Sequence, residues 1–218
     1  MMRRGFVLAA MAVAAAVISA GCACPSGGMK GKTCATGGGK QWIELRKYSF
    51  ANPGQMKAYE EFLAKTAIPA FNRAGVQPVG VYKLLKADNA SLPIQSDPLE
   101  LYVILPHASP CSVAKLAKTM DADSAYRAEG KAVVESPKNA PAFTRIETQM
   151  LLAFDEMPAV AAPAKGDARL LQLRIYESAN EDRAARKIEM FNAGGEIAIF
   201  KRCGMTAVSF GQSLAGVK

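Results

Sequence analysis

The chain has 218 residues, of which 50% are hydrophobic and 21% are charged, and its formal net charge is +8. This composition excludes a disordered or collagen-like chain, because it supplies enough apolar side chain to form a core. A single histidine and five scattered cysteines disfavour a zinc-finger array, a dense disulfide scaffold and most histidine-dependent hydrolases. The basic residues do not alternate with aromatic residues, so nucleic acid is not an expected partner.

The N-terminus has the pattern of an export signal. Arg3 and Arg4 precede an unbroken apolar run at residues 6–18, and small residues and Cys22 follow it. The run is too short to span a bilayer, which takes about 20 apolar residues. We therefore interpret residues 1–21 as a secretory signal peptide.

Small residues that lead directly into a cysteine resemble the bacterial lipobox. The resemblance implies that Cys22 is lipidated and becomes the mature N-terminus, although Ser19 stands where the lipobox has Leu, Val or Ile. The next residue, Ala23, is not acidic, which by analogy implies an outer-membrane lipoprotein on the periplasmic side of the envelope. The expected partner at this end of the chain is the membrane, through the lipid anchor.

Residues 22–40 are predicted to form a flexible tether, since they are rich in glycine and contain almost no large side chain. Cys24 and Cys34 lie on this segment. An oxidising compartment permits a disulfide between them. The alternative is metal binding by these two cysteines and Cys22, but no histidine or fixed spacing supports it, and we predict no metal site.

Beyond the tether the sequence repeats itself. Residues 45–48 (LRKY) match residues 173–176 (LRIY) at an offset of 128. Farther on, five residues recur at an offset of 129: Ile68, Phe71, Arg73, Gly75 and Val79 match Ile197, Phe200, Arg202, Gly204 and Val208. This similarity predicts an internal duplication.

The first copy, residues 41–156, is predicted to fold as an α+β, ferredoxin-like βαββαβ domain. Alternating apolar and polar residues predict a first strand, and Asn52-Pro53 is a typical helix start. We expect Pro69 to interrupt that helix and Gly75 to end it. The remaining elements are predicted at residues 76–85 (strand), 99–105 (strand), 109–134 (helical) and 144–154 (strand). A second sheet of this kind would cover the open face and form an α/β barrel.

A linker rich in proline and alanine, residues 157–168, leads to an incomplete second copy at residues 169–218. The pattern predicts only a strand at 170–176, a helix from Glu181 that Gly194-Gly195 interrupts, and a strand at 205–213. Two strands and one helix do not form an independent domain. Either this segment packs on the first domain or on another subunit, or the chain is truncated; we favour truncation.

Residues 42–48, 67–82 and 170–212 are similar to the NIPSNAP family, and residues 187–202 are the most specific part of a resemblance that covers about residues 41–218. The resemblance implies a ferredoxin-like, dimeric α/β-barrel architecture with two tandem domains, so the stop at Lys218 departs from the family. It implies no catalytic motif. Family members in animals are associated with mitochondria, trafficking and protein interaction, which makes a homodimer or a protein partner the expectation.

The best candidate for ligand binding is a pair of side chains that the repeat carries twice. Arg46 and Arg174 occupy equivalent strand positions, as do Tyr48 and Tyr176. Residues two apart on a strand project to the same face, so each arginine is expected beside its tyrosine. Such a pair can bind an anionic or carboxylate ligand.

Glu196, at the expected helix bend, is a further candidate for this site. The alternative for the arginines, which we favour, is a structural salt bridge with Glu60 or Glu189. His107 follows the third predicted strand and can face a cleft there. We favour the alternative of an exposed loop histidine.

Two cysteines have plausible chemistry. Cys111 lies in the first turn of a predicted helix, where the helix dipole stabilises a thiolate. We favour a packed thiol for it over a nucleophile, and packing also for Cys203.

Phosphate-binding loops and the common hydrolase motifs are absent, and no cofactor is predicted. The sequence favours an exported, lipid-anchored binding or interaction module over an enzyme. The rival hypothesis is an α/β-barrel enzyme of the oxygenase or haem-handling type that uses His107, and a third is a non-functional truncated remnant.

Overall fold

A computed structural model describes residues 39–163 and 170–216. The signal peptide, Cys22, Cys24 and Cys34 lie outside these residues. The described chain is α+β, with one five-stranded antiparallel sheet in the order β2-β3-β1-β4-β5. Its strands are β1 (Trp42–Ser49), β2 (Gly80–Tyr82), β3 (Glu100–His107), β4 (Arg145–Ala153) and β5 (Gly211–Ala215). Its helices are α1 (Pro53–Phe62), α2 (Ile68–Arg73), α3 (Pro110–Ala122), α4 (Ser124–Glu129), α5 (Lys131–Val134), α6 (Glu181–Phe191) and α7 (Glu196–Arg202).

The first copy has the predicted βαββαβ order, and its strand order is compatible with a ferredoxin-like fold. Strand β1 lies at the centre and pairs along its whole length with β3 on one side and β4 on the other. Side chains of β1 and β3 that point to the helices enter the main core with residues of α1, α2 and α3, among them Tyr48, Leu101, Val103, Leu105 and Phe71. The sheet therefore fixes one buried face, and the polar residues on that face must find partners there.

Helix starts agree with the sequence prediction. The Asn52 side chain accepts a hydrogen bond from the Gln55 backbone N–H, and Ser109 does the same for Ser112. Both helices have proline in the first turn, where its missing N–H costs no helical hydrogen bond. Gly75 ends α2 with a φ of +79°, as a left-handed C-terminal glycine does.

The interruption of the first helix differs from the prediction in its position. A π-helical turn at Leu63–Ala67 separates α1 from α2, and Pro69 lies in the first turn of α2. A proline ring clashes with the carbonyl four residues earlier in a regular helix. The wider π turn immediately before Pro69 accommodates that ring, so the irregular turn comes before the proline.

Two of the predicted strands exist but are shorter or shifted, so their bounds need correction. The strand expected at residues 76–85 is confined to Gly80–Tyr82, because Pro78 has no N–H for a sheet hydrogen bond and Val76 is instead buried in the core. The strand expected at residues 205–213 begins only at Gly211, where it pairs with β4.

The second copy matches the prediction in its helices and departs from it in its first strand. Asn180 caps α6, and Gly195, with a φ of +76°, separates α6 from α7. Residues 170–176, however, are not a strand: their backbone has no sheet hydrogen bond to any described residue. In the first copy β1 is held between β3 and β4, and the described residues of the second copy form no counterparts of those two strands. The predicted βαβ order of the second copy is therefore reduced to two helices and one strand.

Part of the linker belongs to the packed structure. Val160 is buried against Ile43, Ile104 and Ala153 on the face of the sheet opposite the helices. Its backbone N–H donates to the Gln41 side chain, and the Ala161 N–H donates to the Val208 carbonyl.

In the part of the chain that the structure describes, no helix has the length and apolar character that crossing a membrane requires.

Candidate functional site

The arginine and tyrosine of the first copy belong to a buried polar cluster on the helix-facing side of the sheet. Arg46 donates two hydrogen bonds to the Glu44 carboxylate, from Nε to Oε1 at 2.7 Å and from Nη2 to Oε2 at 3.0 Å. Its Nη1 lies 3.4 Å from the Tyr48 hydroxyl. The three residues alternate along β1, which places them on one face and within reach of one another.

His107 extends this cluster and is not the exposed loop residue that the sequence favoured. It is the last residue of β3 and is 0% exposed. Its Nε2 lies 3.2 Å from Glu44 Oε2, and its Nδ1 lies 3.0 Å from Ser112 Oγ. A carboxylate only accepts hydrogen bonds, so Nε2 carries the proton and donates. The other ring nitrogen, Nδ1, has the Ser112 hydroxyl as its partner.

The charges in the cluster stabilise each other. Burial alone would raise the pKa of Glu44, but hydrogen bonds from His107 and Arg46 outweigh it, and the pKa is lowered below the usual 4.5. Burial by itself would lower the pKa of Arg46, yet the hydrogen bond to Glu44 gives a net increase. Burial also raises the pKa of Tyr59, whose ring packs 4.8 Å from that of Tyr48. Glu44 and Arg46 thus form an ionised, mutually neutralising pair.

Ser112, His107 and Glu44 supply the three groups of a catalytic triad, but a substrate cannot reach the imidazole. A hydroxyl, an imidazole and a carboxylate in series activate the serine of many hydrolases. Here the imidazole is completely enclosed, and the carboxylate is shared with the arginine. The cluster therefore anchors β1, β3 and the start of α3 to each other.

The salt bridge expected as the alternative exists, but its partner was not predicted. Arg46 pairs with Glu44, whereas Glu60 pairs with Lys83 at 2.9 Å. The overlooked signal was local: Glu44 precedes Arg46 by two residues and so shares its strand face.

The second copy reproduces the geometry around its arginine. Arg46 lies over the ring of Phe71, with 5.9 Å from Cζ to the ring centroid, and Arg174 lies over Phe200 at 5.1 Å. Arg174 Nε donates to Gln172 Oε1 at 3.0 Å, as Arg46 Nε does to Glu44. Gln172 is the residue 128 positions after Glu44. The repeat is thus visible in side-chain contacts, even where the second copy has lost its strand.

The two copies differ in charge and in burial. Gln172 is neutral, and among the described residues no carboxylate pairs with Arg174. Tyr48 is 4% exposed, whereas Tyr176 is 48% exposed. No hydrogen bond, ion pair or ring contact between described residues joins the two arginine–tyrosine pairs, so they are separate clusters.

Glu196 lies near Tyr176 but does not pair with Arg174. Its carboxylate pairs with Lys187 Nζ at 3.1 Å. That ammonium group lies over the rings of Tyr176 and Phe191, at 5.0 Å and 4.9 Å. Lys187 and Glu196 border a surface depression of about 410 Å³, which is also lined by Met190, Gly194, Ile199 and Phe200.

Neither described cysteine behaves as expected. Cys111 is disulfide-bonded, which excludes both a packed free thiol and a nucleophile in this state. Cys203, the other cysteine in the described part of the chain, is free. Cys203 is exposed at the end of α7, which contradicts packing as its role.

Within residues 39–163 and 170–216, no group of three or more His, Cys, Asp or Glu side chains is placed to hold a metal ion.

The most unusual surface of the molecule is an exposed apolar segment, which we call the apolar strip: Leu170, Leu171, Leu173, Ile175 and Tyr176. Leu173 is 51% exposed and Ile175 is 71% exposed. Ile43, at the first-copy position that corresponds to Leu171, is buried in the sheet. Exposed large apolar patches are typical of interaction sites.

Comparison with known proteins gives no match: no family model fits the chain, and no curated protein or solved structure is significantly similar to it. Its function is therefore inferred from its own residues and geometry.

Proposed function

We propose that the protein is an exported, lipid-anchored, NIPSNAP-like binding or interaction module, and that it binds its partner through the second copy. The single observation that carries the proposal is the apolar strip, which is exposed and has no sheet partner among the described residues. Exposing several large apolar side chains opposes solubility unless a partner covers them.

The membership of a NIPSNAP-like family is part of this proposal. It is supported by the resemblance at residues 187–202 and by the α+β sheet order of the first copy, which is compatible with a ferredoxin-like domain. The repeated contacts of Arg46 and Arg174 support a duplicated architecture.

The rival function, an enzyme that handles haem or oxygen through His107, has less support. Both ring nitrogens of His107 already have partners, Glu44 and Ser112, and the ring is enclosed. Haem ligation takes up one ring nitrogen and would therefore break one of these buried hydrogen bonds. The absorption spectrum of the purified protein with added haemin tests this directly: a Soret shift that is lost in His107→Ala would favour the enzyme over the module.

Site-specific photo-crosslinking in the producing cell tests the module. A photoreactive residue is placed at Leu173 or Ile175 in the full chain, and at Lys118 as a control on α3. We expect a discrete crosslinked product from the two strip positions and none from position 118, because only the strip is proposed to be covered. If no product forms from either strip position, the proposal is wrong.

The lipid anchor is tested separately. We expect the mature protein to begin at Cys22, to carry acyl chains detectable by mass spectrometry, and to fractionate with the outer membrane. The substitution Cys22→Ser should release it into the soluble periplasmic fraction. A wild-type protein without acyl chains would contradict the anchor but not the module.

A further inference from the structure

Building on the proposed module, we infer that the apolar strip accepts an added β-strand from a different protein, and that this strand presents a carboxylate to Arg174. The occupant is an extended segment with apolar side chains at alternate positions and one Asp or Glu among them.

The first copy shows what residues 45–48, the counterpart of residues 173–176, pair with when a neighbouring strand is present. Strand β1 pairs with β3 from Trp42 to Ser49, and Arg46 lies opposite Val103 in that register. The helix-facing side chains of β3, Leu101, Val103 and Leu105, are almost completely buried as a result. An extended apolar strand is thus what a segment of this type binds along its edge.

The second copy has the matching residues and no such strand. Residues 173–176 repeat 45–48, but their backbone N–H and C=O groups have no sheet partner among the described residues. A backbone segment without sheet partners that carries alternating apolar side chains is a template for strand addition. Phe200 and Phe191, which contact Arg174 and Tyr176, already form the layer against which the added side chains would pack.

Charge specifies one position of the occupant. Arg46 has the carboxylate of Glu44. Among the described residues, the partners of Arg174 are the neutral Gln172, the Phe200 ring and Met205 Sδ at 3.9 Å. A guanidinium group in an apolar surface favours a carboxylate partner with which it can form paired hydrogen bonds. By the register of the first copy, this carboxylate takes the position that Val103 has in β3.

A second copy of this chain is the less suitable occupant. The acidic residue that follows the strip is Glu177, and two antiparallel strips bring it opposite Arg174 only in a register that places Leu171 opposite Asn180, at the start of α6. In that register Leu170 and Leu171 stay uncovered. A different protein supplies both the strand and the charge.

The binding experiment uses a labelled peptide with the sequence of residues 99–107, the strand that fills the equivalent place in the first copy. One peptide carries Val103→Asp and the matched control carries Val103→Asn. Fluorescence anisotropy with the purified mature protein should show that the Asp peptide binds about tenfold more tightly, the size expected for a hydrogen bond between charged groups. The substitution Arg174→Gln should abolish this preference. Arg183→Gln, an equal charge change on exposed α6, should preserve it.

Strand addition also predicts a pattern along the backbone. Successive N–H groups of a strand point to opposite edges. Single proline substitutions at residues 171, 172 and 173 should therefore weaken peptide binding at every second position. These residues have no sheet hydrogen bonds to described residues, so the melting temperature should change little. Equal binding by all three variants would contradict strand pairing.

The outcomes separate this inference from the proposed function. Equal affinity for the Asp and Asn peptides, or no binding of either, overturns the carboxylate-bearing strand. If crosslinks from Leu173 still form under those conditions, the module stands with another kind of partner. Crosslinks to a second copy of the chain overturn the inference in favour of self-association. If both peptide and crosslinks fail, both proposals are wrong.

Discussion

The two copies place the same side chains in different surroundings. In the first, Arg46 and Tyr48 lie between the sheet and the helices, and Tyr48 is 4% exposed. In the second, Arg174 and Tyr176 keep the aromatic contacts, but Tyr176 is 48% exposed. The contacts of each arginine therefore come from its own copy: from residues that alternate with it along the chain, and from the phenylalanine of the helix that packs against it. Burial depends on distant strands, and these are what the two copies do not share.

The residue that hydrogen-bonds to each arginine also differs between the buried first copy and the exposed second copy. Glu44 is buried and bonded by Arg46 and His107, whereas the exposed Arg174 has a neutral glutamine beside it. A buried arginine without a carboxylate would be strongly destabilising, but an exposed arginine is solvated by water. The first copy thus needs its carboxylate in order to fold, whereas Arg174 would need one only when a partner buries it.

The largest difference between the copies should come from the phenylalanines beneath the arginines. Phe71 is buried and Phe200 is half-buried. Phe71→Ala should lower the free energy of unfolding by about 3–5 kcal/mol, the usual cost for a core phenylalanine. Phe200→Ala should cost clearly less, because water already reaches its ring. Urea denaturation of both variants measures this, and equal losses would show that the second copy is as well packed as the first.

The next effect comes from exchanging the residues beside the arginines. Glu44→Gln gives the first copy the pairing of the second and should cost about 3 kcal/mol at neutral pH, because it leaves the partly buried Arg46 without a carboxylate. The reverse change, Gln172→Glu, should stabilise by at most about 1 kcal/mol, as exposed ion pairs do. If Glu44→Gln costs no more stability than Gln172→Glu gains, the two arginines do not differ in burial as described.

Acid should remove the advantage of the wild type over Glu44→Gln. The folded state lowers the pKa of Glu44, so its carboxylate stabilises the protein above the usual pKa of 4.5. This contribution is lost as the pH falls below 4.5 and through the lower folded-state pKa. Unfolding curves of wild type and variant should therefore converge in acid, and a difference that stays constant from neutral pH to pH 3 would exclude this linkage.

The smallest effect should be the same in both copies. Gly75 and Gly204 have φ values of +79° and +77°, and a Cβ added at either would meet no atom within 4 Å. Gly75→Ala and Gly204→Ala should each cost about 1–2 kcal/mol through backbone strain alone. Similar losses in urea denaturation would show that the helix-ending turn is local and independent of burial. A much larger loss at Gly75 would show that packing contributes there.

Local signals in the sequence predicted much of the fold. Asn52, Ser109 and Asn180 start helices as their side-chain chemistry predicts, and the alternation at β1 marks a strand with two different faces. Non-local features could not be read in this way. Residues 170–176 have a strand pattern, but whether they pair depends on other segments.

The candidate site shows the same limit. The strand spacing predicted that Arg46 lies beside Tyr48, and the two are neighbours. The burial of His107 was missed because its partner Glu44 lies 63 residues away in the chain. The disulfide of Cys111 was missed because spacing along the sequence does not identify which cysteines meet.

Hydrogen exchange at residues 170–176, compared with residues 42–48 in the same protein, tests most directly whether the second copy lacks a strand partner. We predict fast amide exchange in the apolar strip and strong protection in β1, whose amides are held between β3 and β4. Protection of the strip as strong as that of β1, in the isolated protein without any partner, would contradict the account.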